Sequence, residues 1–260
     1  MPDQSYILGI DEAGRGPIIG PMTYGAAWFP SKDLQPFAKQ GFKDSKKLKL
    51  SEREQLFQKI RQSKNIPISY KVTVITANQI SQQMLKMSRV NLNEISHQAA
   101  IDLIEHAIQA GFKIEKVYVD TVGPKATYQR KLSRLFPEIE VTVSEKADSL
   151  FPVVSAASIC AKVIRDRLLS HYVFPEGIED DGFGSGYLSD PKTVKWIARN
   201  CDKVFGFPVL VRFSWAPSVK AMEKGSVPVK WSQYGDDDSQ IMSSQVRLSF
   251  PTRHRYFSEM

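Results

Sequence analysis

A chain of 260 residues, 42% hydrophobic and 24% charged, is long enough for one substantial core, or for one domain with an appendage. No apolar run approaches the roughly 18 residues of a membrane helix. The opening MPDQSYILGIDEAG has neither the basic flank nor the unbroken apolar stretch of a signal peptide, so an intracellular protein without membrane spans is expected. Lys and Arg outnumber Asp and Glu 35 to 28, and a net charge of +7 suits a polyanionic partner such as nucleic acid. Cys160 and Cys201 have no paired spacing, which excludes a zinc or disulfide framework and predicts reduced thiols. The four histidines, His97, His106, His171 and His254, show no ligand clustering either.

The apolar run 6–10 reads as a buried strand that delivers Asp11 at its end. A Gly/Pro-rich turn separates it from a second strand over 21–29. Residues 51–64 read as a helix, with Ser51 as N-cap and Glu54 completing a capping box. Alternation of Ile68, Tyr70, Val72 and Val74 predicts a half-buried strand over 67–75. Ile95, Ala99, Leu103 and Ala107 share one stripe of a helix over 92–110. A short strand over 117–119 ends at Asp120, followed by a helix over 124–135 and a strand over 139–143. A long helix is expected over 155–171, and Asp190–Pro191 reads as a cap and first turn of another. This order predicts an α/β fold, a mixed sheet flanked by helices, with both strand-end acids at one end. Residues 1–205 form the expected catalytic domain. Residues 206–260 form a C-terminal helical or tail extension, polar over 224–245 and apolar again toward its end, which docks back or meets a partner.

The string DEAGRGPIIGP, residues 11–21, carries the most chemistry. Two adjacent acids, Asp11 and Glu12, precede Gly14, Arg15 and Gly16. Glycines allow close approach of a ligand to the backbone, and an arginine between them suits a phosphate. Asp120 ends a β-rich run, where an acid needs a reason. Asp148 precedes a helix. Together, Asp11, Glu12, Asp120 and Asp148 would supply four hard oxygen ligands. Such a cluster suits Mg2+, and a pair of ions roughly 4 Å apart suits phosphodiester cleavage.

DEAGRGPIIGP, DSKKL (44–48), VNLNEISH (90–97), VYVDTVG (117–123), KADSLFPVVSAASICAK (146–162) and GSGYLSDPKT (184–193) occur in order, and FPVLVRFSW (207–215) follows them. In these motifs the chain resembles type 2 ribonuclease H, most narrowly the catalytic subunit of the eukaryotic enzymes. The resemblance implies a ribonuclease H-like fold. It implies hydrolysis of RNA in RNA–DNA hybrids and incision 5′ to single ribonucleotides in duplex DNA, leaving 3′-hydroxyl and 5′-phosphate ends. By position it implies that Asp11, Glu12, Asp120 and Asp148 are the catalytic carboxylates that hold Mg2+, with Mn2+ as the alternative ion. It implies that Gly14, Arg15 and Gly16 read the ribose 2′-hydroxyl, the group that separates RNA from DNA. It implies that Tyr187 packs on a sugar. Lys46, Asn91, Asn93, Lys162 and Arg165 fall in matching segments as candidate phosphate contacts, although Asn91 and Asn93 also suit turns or caps. Two accessory subunits in a heterotrimer and a nuclear location are further implications. The competing readings are a DNA nuclease or recombinase of related fold, and a non-catalytic protein that binds nucleic acid within a complex. The Gly14–Gly16 segment opposes the first and the four acids oppose the second.

Overall fold

The computed structural model describes residues 4–38, 41–42, 48–62, 67–178 and 182–227. Lys46, with most of the DSKKL motif, and the aromatic tail lie outside the described residues. The chain divides into one compact unit, Met1–Ser226, and a second, Val227–Met260. Elements follow in the order β1 (Ser5–Ala13), β2 (Met22–Pro30), α1 (Leu34–Ala38), α2 (Leu50–Gln62), β3 (Ser69–Ile75), α3 (Ala77–Leu85), α4 (Leu92–Gln109), β4 (Lys113–Asp120), α5 (Lys125–Leu135), β5 (Glu140–Ser144), α6 (Ala147–Leu150), α7 (Pro152–Ser170), α8 (Pro191–Arg199) and α9 (Ala216–Gly225).

The sheet runs β3-β2-β1-β4-β5. β1 pairs antiparallel with β2, and β2 with β3, while β1–β4 and β4–β5 are parallel. This is the expected mixed α/β sheet. Alternation along β1 separates two cores. Leu8 and Ile10 join Ile95, Leu103, Tyr128 and Val119 on the face covered by α4 and α5. Ile7 joins Val153, Ala157 and Phe57 on the face covered by α7 and α2. The α7 backbone comes so close to the sheet that a Cβ on Gly9 would stand 2.5 Å from Val153 C, and one on Gly25 2.4 Å from Ala157 O. Two glycines in adjacent strands thus let this helix approach near the acid-bearing end.

Residues 206–226, expected from sequence to begin an extension, lie within the first compact unit. Phe207, Leu210 and Val211 are buried with Ile18, Ile19 and Trp196 in a third apolar cluster. Other boundaries differ for local reasons. α7 begins at Pro152 rather than 155, because proline is suited to the first helical position. α2 begins at Leu50, so Ser51 lies inside it, and Glu52 rather than Glu54 accepts from a preceding backbone, Lys49 N, at 2.7 Å. Glu54 pairs with Arg167 instead. Helix α3, not expected from sequence, carries a capping box between Thr76 and Gln79. No helix among the described residues is long and apolar enough to cross a membrane.

Candidate active site

Asp11 and Glu12 lie within β1, which continues to Ala13, rather than at its end. Its parallel pairing with β4 stops at Ile10 and Val119, so Asp11 and Asp120 emerge side by side from neighbouring strands. Consecutive strand residues point to opposite faces. Asp11 therefore follows Ile7 toward α7, and Glu12 follows Leu8 and Ile10 toward α4. Even so, one carboxylate oxygen from each of Asp11, Glu12 and Asp120 lies within 4.8 Å of the others. Glu12 N donates to Asp11 Oδ1 at 2.7 Å, and Ala147 N donates to Asp120 Oδ1 at 2.8 Å. Asp148 stands apart from that trio. It is buried on α6, one residue beyond the Ala147 amide that anchors Asp120. Lys146, just before, is held at φ 53°, the left-handed region, where the chain turns to present that amide.

The cluster resists its own charge. Burial, then the charge on Asp120, pushes the Asp11 carboxyl up to about 7, against the pull of Ser158 and Lys162 from α7. Burial, then Asp11 and Asp120, holds Glu12 well above the usual carboxylate range, with Arg15 opposing. Glu12 Oε2 is buried with no hydrogen-bond partner among the described residues. Three hard oxygen donors that repel one another, one of them unpaired, fit a divalent cation.

Beside the cluster, the loop from Gly14 to Gly20 is fastened by two buried arginines. Arg165, from α7, donates through Nε to Pro21 O at 3.1 Å, and a Cβ on Gly14, at φ +75°, would stand 2.0 Å from that nitrogen. The sequence places Arg165 among the candidate phosphate contacts. The residue is buried, and its guanidinium turns inward onto this loop. Arg212 is fully buried and donates to Gly20 O at 3.0 Å, Arg15 O at 2.7 Å and Gly14 O. It stacks on Trp215, whose Nε1 donates to Gly16 O at 3.2 Å. Ile18 N donates to Gly186 O at 2.8 Å, joining this loop to the Gly184–Tyr187 turn. Tyr187 is 45% exposed, and a Cβ on Gly16 would lie 3.2 Å from its ring.

The remaining candidates divide. Arg15 turns away from solvent to Ser96 Oγ, at 3.2 Å, and to Asn93 Oδ1, so Asn93 supports the loop. Asn91 caps α4 by accepting from Glu94 N at 3.0 Å, as its alternative reading has it. Lys162 is half-buried on α7, where its charge reaches Asp11.

The family model for Ribonuclease HII matches residues 8–218. The chain belongs to that family. It is 44% identical to the A subunit of ribonuclease H2 from Caenorhabditis elegans, over 97% of this chain and 90% of that protein. It is 42% identical to the Homo sapiens counterpart, over 97% and 87%. The crystal structure of ribonuclease H2 from Pyrococcus horikoshii OT3 superposes with a TM-score of 0.69 at 33% identity, covering 84% of this chain and 97% of that one. The family makes the protein a ribonuclease H, a hydrolase of the RNA strand in RNA–DNA hybrids. Within this ribonuclease H, Arg212 and Trp215 are the site residues that sequence reasoning does not single out. Both lie in FPVLVRFSW, where the signal is one cation inside an apolar string, a residue that is buried only with partners.

Proposed function

We propose that the protein is the catalytic subunit of a ribonuclease H that also incises 5′ to a single ribonucleotide in duplex DNA. The observation that carries this reading is the adjacency of the Gly14–Gly16 loop to both the carboxylate trio and Tyr187. Arg15 acts electrostatically on Glu12, and Gly16 faces the tyrosine ring. The Gly14–Gly16 backbone, its carbonyls held by Arg212 and Trp215, would offer N–H groups to a 2′-hydroxyl as acceptor. Tyr187 offers a half-exposed ring for the neighbouring sugar.

Asp11, Glu12 and Asp120 would hold divalent metal, Mg2+ or Mn2+, and Asp148, which follows Ala147 on α6, would be a fourth carboxylate. Two such ions would supply charge stabilisation for the attacking water and the departing 3′-oxygen. The chain's own residues do the rest. Asp11 and Asp120 emerge from two rigid strands, so their spacing is set before substrate arrives. Lys162 balances charge behind Asp11. The Gly14–Gly16 loop aligns the scissile bond by gripping the ribose. The product ends, 3′-hydroxyl and 5′-phosphate, follow from attack by water on the phosphorus with loss of the 3′-oxygen.

Two helices that start beside the site are basic throughout. α5 carries Lys125, Arg130, Lys131 and Arg134 with no acid, and α8 carries Lys192, Lys195 and Arg199 with none. They support phosphate contact on either side of the cleavage point. Lys46 remains a candidate of the same kind from the DSKKL motif. We assign residues beyond 227 to contact with two accessory subunits of a heterotrimer acting in the nucleus. The relatives are themselves named as one lettered component of ribonuclease H2, which supports such an assembly.

The deciding experiment is cleavage of a duplex with one embedded ribonucleotide beside an all-DNA duplex, in Mg2+ and in chelator. Metal-dependent incision 5′ to the ribonucleotide, with the all-DNA duplex intact, is expected. Equal cleavage of both would replace ribose sensing with a general nuclease. Removing 228–260 should leave the Met1–Ser226 unit folded and weaken co-purification with the accessory subunits. Full assembly by the shortened chain would move that interface to the catalytic unit.

A further inference from the structure

Glu12 reaches the trio from the α4 side of the sheet, and what lies beneath it there is aromatic and polar. In the β1–β2 register its partner is Tyr24, whose side chain is on the same face. Tyr128, from α5, is buried in the same cluster as Tyr24 and near enough to feel the Glu12 charge. Tyr24 is 1% exposed and Tyr128 fully buried. Burial, then the Glu12 charge, raises both phenols, so both keep their protons and remain donors. Among the described residues neither hydroxyl has a hydrogen-bond partner, and Glu12 Oε2 has none. Two buried donors and one buried acceptor, electrostatically close and all unpaired, are costly unless they serve one another.

The surroundings hold both rings still. His97 stacks on Tyr128 with ring centroids 3.8 Å apart and planes 10° apart, while its Nε2 donates to Val122 O at 3.1 Å. Ser96 lies close enough to Tyr24 to favour its charged form slightly, but its hydroxyl accepts from Arg15. Tyr24 thus has Ser96 as a second polar neighbour, and Glu12 is the carboxylate whose charge both phenols share.

We infer that Tyr24 and Tyr128 are positioning residues for Glu12. Their hydroxyls hold its inner oxygen through enclosed water, so that the carboxylate keeps one oxygen on the Asp11–Asp120 side. A buried polar site with several partners is where a protein retains water, and outer partners of this kind orient a carboxylate toward metal. The inference rests on the proposed metal-binding role of the trio.

The test uses the full chain with Mn2+ as probe, measured by calorimetry without substrate, beside thermal unfolding. Tyr24→Phe and Tyr128→Phe keep the rings and remove only the hydroxyls. Each should weaken Mn2+ binding about tenfold. In chelator each should stay folded and unfold at a modestly lower temperature, because a water-bridged buried hydroxyl has been removed. In turnover, the Mg2+ concentration for half-maximal rate should rise while KM for the duplex stays fixed. Unchanged Mn2+ affinity in both variants, with Asp120→Asn losing it, would overturn the positioning role and leave the metal site standing. No Mn2+ binding by the unaltered chain would overturn the metal reading and the inference with it. A lower unfolding temperature in chelator with unchanged affinity would make the tyrosines purely structural and overturn the inference as well.

Discussion

Two buried charged regions meet at Gly14, and they are built on opposite terms. The carboxylate trio gathers like charges, with Asp11 pushed up to about 7 and an oxygen of Glu12 unpaired. The loop clamp gathers like charges too: burial first, then the neighbouring Arg165, lowers Arg212 to about 9. Yet Arg212 donates to three carbonyls and stacks on Trp215, so its charge is dispersed and satisfied. A buried cation bonded through each of its three nitrogens and stacked on a ring is part of the framework. Buried anions left facing one another need something from outside. The comparison separates residues that hold the site from residues that perform its chemistry, although both sets are charged and buried.

Substitutions should split the same way. Asp120→Asn removes one charge from the trio with little change of volume. We expect cleavage to fall by roughly 10³-fold or more, as for loss of a metal-centred stabilisation. Unfolding temperature in chelator should hold or rise, since repulsion is relieved. A folded variant with near-normal turnover would remove Asp120 from the chemistry. Arg212→Met should do the reverse. Three buried carbonyls lose their donor, and stability should drop by about 3 kcal/mol or more. Mn2+ binding by the fraction that remains folded should persist. If denaturant unfolding showed no loss, the clamp would be incidental.

Tyr187→Ala, at the half-exposed end of the loop platform, should cost less. We expect roughly 10–100-fold in turnover at a single embedded ribonucleotide, with duplex affinity nearly unchanged, because the ring aligns one bond while phosphates carry affinity. Equal loss of affinity and no loss of bound-state turnover would make it an anchor instead.

The smallest effect is in pH. Asp11 has an ordinary value of 3.8 and a folded value of about 7. The folded chain therefore holds a proton that the unfolded chain has released. Metal-free stability should fall as pH rises through that window and level off above it. With Mn2+ the trend should reverse, because binding displaces the proton and strengthens as pH rises. Urea midpoints between pH 5 and 8, in chelator and in Mn2+, check both signs. Parallel curves would mean that the trio takes no cation.

Much of this is legible in sequence for particular reasons. Asp11 and Asp120 end or interrupt apolar strand runs, where an acid has no structural use, and Gly14–Gly16 follow directly. The Asn91 side chain suits either a phosphate contact or a cap by its chemistry alone, and in the structure it caps α4 through Glu94 N. Spacing on a helix shows which residues share a face and not which face is turned inward, so the bond from Arg165 to Pro21 O is not legible in sequence. Thr76 and Gln79 carry a capping signal, but the 9-residue helix that follows is too short to repeat its apolar spacing along the chain.

The sequence by itself determined the order of the main strands and helices, the acids that β1 and β4 carry and the family to which the motifs belong, since each of these rests on near neighbours along the chain. Only the tertiary structure decided that Asp11 and Glu12 reach one point from opposite faces of the sheet. It alone placed Tyr24 and Tyr128 under Glu12, and laid Arg212 across a loop nearly two hundred residues away. Those contacts join residues far apart in sequence, and no periodicity or local propensity encodes which partner a buried polar group will find.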